Sequence, residues 1–127
     1  MSVAFQPRTG LIIVEAEVSG PSGIVKSTMI LDTGATTTTL GLKVLRLVGY
    51  DPSMAIGQAQ LTTGSATSTV PLLMVNRLSA LGRHAIGLRV LARNLPPGVA
   101  ADGLLGLDFL RGHVLTIDFP QGQIRLA

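Results

Sequence analysis

The chain is built from short apolar runs separated by short polar breaks, and a helical period is almost nowhere sustained. Residues 11–18 end in strict apolar–charged alternation, Val14-Glu15-Ala16-Glu17-Val18, the period of a half-buried strand. Ser19-Gly20-Pro21-Ser22-Gly23 has the composition of a turn. Residues 24–31 return as a second strand that closes in apolar Met29-Ile30-Leu31, so the pair predicts a hairpin whose far end delivers Asp32. Further strands are predicted over 71–75 and 85–91, with a less regular stretch carrying Arg77 and Arg83 between them. A last hairpin is predicted from 114–119 and 124–126 around Pro120-Gln121-Gly122-Gln123, whereas residues 1–10 and 94–98 read as irregular.

Two stretches depart from this texture. Residues 40–50 predict a short helix with Leu42, Leu45 and Leu47 or Val48 on one face, Thr39 as its cap and Gly49 near its C-terminus. Residues 58–70 have two hydroxyl-rich arms about Gly64-Ser65 and predict a polar, mobile β-hairpin with little to bury.

Composition narrows the class. With 127 residues, 46% hydrophobic and 13% charged, the chain suits one domain, residues 1–127, with its own core. Aromatics are only 3%, so that core must be aliphatic. The formal charge of +3 is scattered and not interleaved with aromatics, which argues against a nucleic-acid partner. There is no cysteine, hence no disulfide or thiolate metal site. His84 and His113 stand apart from each other and from paired carboxylates, so no metal and no cofactor are expected. No leader follows Met1 and no run of ~20 apolar residues is present, so no membrane segment is expected in this chain. That favours the cytoplasm and leaves open a longer parent protein.

Candidate chemistry concentrates where the first hairpin ends, in Leu31-Asp32-Thr33-Gly34-Ala35-Thr36-Thr37-Thr38-Thr39. A buried strand there hands one carboxylate to a turn rich in hydroxyl and N–H donors. Donors favour the ionised acid, while an apolar surround or a second acid favours the protonated one. Such a poised acid suits general acid–base work. Asp-X-Gly alone is also a common turn. Asp102-Gly103 is the rival acid by context, and it too reads as a turn; Asp108 reads as structural, capping a helix or bonding a neighbouring backbone.

The string Leu31-Asp32-Thr33-Gly34-Ala35-Thr36 resembles the active-site loop of the retroviral-like (retropepsin-type) single-domain aspartic proteases. Leu104-Leu105-Gly106 resembles the family's second core motif, which packs beneath the acid loop and opens the family helix. The resemblance runs from about residue 11 to the C-terminus, and only the Asp32 loop is highly specific. It implies an all-β, closed barrel with a flap hairpin and one or two short helices. Asp32 is the implied catalytic acid and Thr33, Gly34, Ala35 and Thr36 its loop, with Thr33 locking two loops across a twofold axis. The implied flap has its tip near Thr63, Gly64 and Ser65. One acid loop in one chain implies a homodimer, with the dyad shared between protomers. The expected activity is an aspartic endopeptidase cutting between hydrophobic residues, on the acid side of neutral. One departure stands out. Gly106 is followed by Leu107-Asp108, where viral members carry Arg-Asn, so the dimer contacts made through that arginine do not carry over. The competing expectations are a catalytically silent dimerisation or peptide-binding module on the same fold, and a β-barrel lipid or ligand carrier.

Overall fold

The computed structural model describes residues 1–127, the side chain of Thr63 excepted. Its centre is a seven-stranded sheet in the order β2 (Ile13–Gly20), β3 (Gly23–Leu31), β8 (Gly103–Leu105), β4 (Thr39–Leu40), β7 (Arg83–Ala92), β6 (Ala66–Ala80), β5 (Gly57–Thr63). β2 also pairs with β6, from Ala16 opposite Ala80 to Ser19 opposite Arg77. That pairing closes six of the strands into a barrel and leaves β5 as an arm outside it. Closure removes the exposed edges that an open sheet would offer to other chains.

Strand alternation explains what fills the barrel. Val14, Ala16 and Val18 on β2 face inward while Glu15 and Glu17 face water. Met29 and Leu31 on β3, Leu73 and Val75 on β6, Val90 on β7 and Leu105 on β8 complete an almost wholly aliphatic core. Each of these side chains larger than alanine contributes roughly 1.5–3 kcal/mol by leaving water.

The predicted first hairpin forms with Gly20 opposite Gly23. Helix α1 spans Leu42–Leu47 and buries Val44 and Leu45, with Val48 following, while Leu47 turns outward. Thr39 does not cap it. The cap position is Gly41, with no side-chain bond, because Thr39 is already committed to β4, opposite Leu91 and Leu104. The stretch between 76 and 84 is regular, contrary to expectation. β6 runs on to Ala80 and turns through Leu81-Gly82 into β7, since Leu78 and Ala80 face inward between exposed or half-buried Arg77 and Ser79. The N-terminus is not wholly irregular either. β1 (Ser2–Ala4) joins β10 (Gln123–Leu126) and β9 (Leu115–Asp118) in a separate three-stranded sheet. Its alternation is too short to register in the sequence.

Candidate active site

The site grows out of a crossing of three strands. β3 and β8 run parallel, Leu31 opposite Leu105, and β8 runs antiparallel to β4, Leu104 opposite Thr39. β8 is thus wedged between the strand that enters the acid loop and the strand that leaves it. The loop, residues 32–38, must arch over the end of β8. Two glycines permit this. A Cβ on Gly103 would lie 2.2 Å from the Thr39 carbonyl oxygen, and one on Gly106 would lie 2.8 Å from that of Ala35. Leu105 and Gly106 lie against the backbone of the acid loop, and α2 (Leu107–Leu110) starts directly afterwards.

The arch is fastened along its length. The Asp32 N–H donates to the Leu105 carbonyl at 3.0 Å, and the Ala35 N–H donates back to the Asp32 carbonyl at 3.1 Å. The Ala35 carbonyl accepts from Leu107 N–H at 2.8 Å, and the Thr36 carbonyl accepts from Asp108 N–H at 3.2 Å. The firmest tie is Thr38, fully buried. Its N–H donates to Asp108 Oδ2 at 3.0 Å and its hydroxyl donates to Asp108 Oδ1 at 2.6 Å. The same hydroxyl accepts from Gly106 N–H at 3.1 Å, while Asp108 Oδ1 also takes the Phe109 N–H at 2.9 Å. Asp108 is structural, as read from the sequence. Thr38 was not singled out there, because it is one hydroxyl in a run of four and only the fold separates it from its neighbours.

The Asp32 side chain is half-buried, and its Oδ1 accepts from Gly34 N–H at 2.9 Å. Oδ2 has no hydrogen-bond partner among the described residues. Thr33, Gly34 and Thr36 are exposed around it. Asp102 is tied back to the sheet. Its Oδ2 accepts from Thr28 N–H at 2.8 Å and faces the Thr28 hydroxyl at 3.3 Å, four residues back along β3 from Asp32.

Across from the loop stands the β5–β6 hairpin, paired to Thr63 opposite Ala66, with Gly64 at φ +59° beside Ser65 at its tip. Gly64 and Ser65 are exposed, and the Thr63 side chain lies outside the described residues. A cleft of about 300 Å³ separates hairpin and loop, lined on one side by Ala59, Gln60 and Leu61 and on the other by residues 34–37 and Thr39. Leu91, Arg93 and Leu104 line it too. Beside the loop, on its other flank, Ile12 O accepts from Leu31 N–H, so Leu11 lies next to Asp32. Leu11 is 45% exposed and helps to line an apolar hollow of about 530 Å³ with Phe5 and Ile13.

The histidines lie elsewhere. His84 Nδ1 sits 2.8 Å from Ser79 Oγ and 2.9 Å from Arg77 Nη2 on the outer surface of β6 and β7. Among the described residues no group of three His, Cys, Asp or Glu side chains could hold a metal, and no helix is long and apolar enough to cross a membrane.

A six-stranded barrel with one Asp-Thr-Gly loop arched over an apolar-apolar-Gly strand defines a retropepsin-type aspartic protease fold. The family model described as "gag-polyprotein putative aspartyl protease" matches residues 15–112, and the chain belongs to that family. Among solved structures it is similar to a retropepsin-like aspartic protease from Rickettsia conorii. The match has a TM-score of 0.74 and 19% identity, and it covers 99% of this chain and 88% of that one. No curated protein sequence matches the chain.

Proposed function

We propose that the protein is an aspartic endopeptidase whose catalytic centre is completed by a second copy of the chain. The reading rests above all on Asp32: a half-buried carboxylate with one oxygen bonded to Gly34 N–H, on a loop that is fastened to β8 and α2 and whose next residues line the cleft. One such carboxylate is insufficient. Hydrolysis of an amide by water needs a group to take a proton from the water and another to polarise the carbonyl. Two adjacent carboxyls supply both, since like charges a few ångströms apart keep one of them protonated, and aspartic proteases are the standard case.

In the dimer, the ionised Asp32 takes a proton as the water oxygen bonds to the carbonyl carbon. The protonated Asp32 of the other protomer gives its proton to the carbonyl oxygen. The first Asp32 then passes its proton to the amide nitrogen, the second takes one from a hydroxyl of the tetrahedral intermediate, the C–N bond breaks, and a carboxylic acid and an amine leave. Thr33 braces the two loops across the axis, and Gly34 keeps its backbone open to the peptide. The β5–β6 hairpin, with Thr63, Gly64 and Ser65 at its tip, closes over the bound chain. Exposed Leu11 and Ile13 beside Asp32 give the second protomer an apolar surface to cover.

The test is Asp32→Asn. The amide oxygen can still accept from Gly34 N–H, so fold and dimer persist while peptide cleavage disappears. Turnover retained by this variant overturns the mechanism.

A further inference from the structure

The cleft is otherwise neutral: hydroxyls, aliphatic side chains and one amide line it, and Arg93 is the single charged residue among them. Its place follows from the strands. Thr39 pairs with Leu91 and Leu40 with Ala92, and Arg93 N–H donates to Leu40 O at 3.0 Å. Side chains alternate along a strand, so Leu91 and Arg93 share the cleft face while Ala92 turns into the core. The side chain is half-buried. The five aspartates bond elsewhere, accepting from backbone amides at Gly34, Ser53, Thr28, Thr38 and Gln121. Arg93 takes part in none of these bonds, and no other side-chain bond of its guanidinium occurs among the described residues.

A partly desolvated guanidinium with its donors uncommitted is matched best by a carboxylate, bound in a two-pronged fork. We propose that Arg93 makes this cleft selective for peptides carrying an acidic side chain beside the cleavage point. The inference rests on the endopeptidase reading and adds a charge requirement to the apolar preference expected from the rest of the wall. β4 and β7 run away from the acid loop, antiparallel to β8. Arg93 therefore lies toward the far end of the cleft, roughly two to four residues of extended peptide from the scissile bond at ~3.3 Å per residue. The twofold axis gives each flank of the substrate its own Arg93, so an acid on either side suffices.

The experiment is cleavage of a mixed peptide library by the wild-type dimer, read by mass spectrometry. Matched peptides carry Glu, Gln or Lys at each flanking position. The expected result is a kcat/KM for Glu on the order of tenfold above Gln, the size of one charge-assisted hydrogen bond. Arg93→Gln levels Glu and Gln, Arg93→Lys restores part of the preference, and Arg93→Glu moves it to Lys. A loss of stability would slow all three substrates alike and would not reverse their order. If wild type cleaves Glu and Gln peptides equally, or Arg93→Glu retains the acidic preference, the charge requirement is wrong and the protease reading survives. If wild type cleaves no peptide at all, both fall together.

Discussion

Thr38 occupies the third place in a run of four threonines, and only its side chain reaches Asp108. Its hydroxyl donates to one group and accepts from another, so a methyl cannot replace it. Thr38→Val keeps the shape, leaves the buried Gly106 N–H without its acceptor and takes from Asp108 Oδ1 one of its two donors, the other being Phe109 N–H. The expected cost is about 2–4 kcal/mol, from a charged and a neutral hydrogen bond lost together, seen as a lowered denaturant midpoint. Asp108→Asn tests the same tie more gently and should cost less, because the amide oxygen still accepts one of the bonds. Gly106→Ala acts by volume. Its Cβ would meet the Ala35 carbonyl at 2.8 Å, so the acid loop must lift and any cleavage should fall much further than stability.

Legibility in the sequence follows the same divide between residues. Asp32, Gly34 and Gly106 are readable because they fall in short strings that resemble the family's motifs, and at Gly106 a Cβ would also collide with the loop backbone. Thr38 does not, since its distinction comes from a partner 70 residues away. Arg93 follows a strand whose cleft-facing side is defined only by its pairing with β4.

Among the elements, the hairpins were plain from alternation and turn composition, and errors arose where two signals overlapped. Thr39 is a good cap by type, but β4 claims it. Leu78 and Ala80 alternate with polar neighbours, and the turn at Leu81-Gly82, with Leu81 at φ +55°, lacks the usual Asn-Gly or Pro signature. The β5–β6 arm lies outside the barrel closure, and its tip residues Gly64 and Ser65 are exposed. Its outer amides should exchange with solvent much faster than those of β2 and β3, which hydrogen exchange measures directly.

The 3₁₀ turn Pro52–Met54 gives a pH prediction at this scale. Ser53 N–H donates to Asp51 Oδ1 at 2.9 Å, and this bond holds the Asp51 carboxyl below its usual range. The ionised form is favoured by folding, so the contribution is full above the ordinary aspartate pKa and fades as pH falls through the lower, folded value. Asp51→Ala should destabilise the protein slightly at neutral pH, and the gap to wild type should close below about pH 4.

For the molecule as a whole, the proposed dyad ties activity to association. Specific activity should rise with protein concentration through the dimerisation range, and sedimentation should show the same midpoint. Leu11→Lys places a charge on the apolar surface beside Asp32 and should shift both curves to higher concentration without unfolding the protomer. A chain that stays monomeric at every concentration, yet cleaves peptide, would contradict the shared centre.

The strand crossing beneath the acid loop also has a consequence in time. A ribosome that has released residues 1–100 has produced every atom of the loop and none of the strand that props it, since Gly103 to Asp108 are still to come. Until they emerge, Thr38 has no carboxylate to hold and Asp32 no carbonyl to lean on. The acid loop therefore takes its final form only once a segment 70 residues further along the chain has joined it.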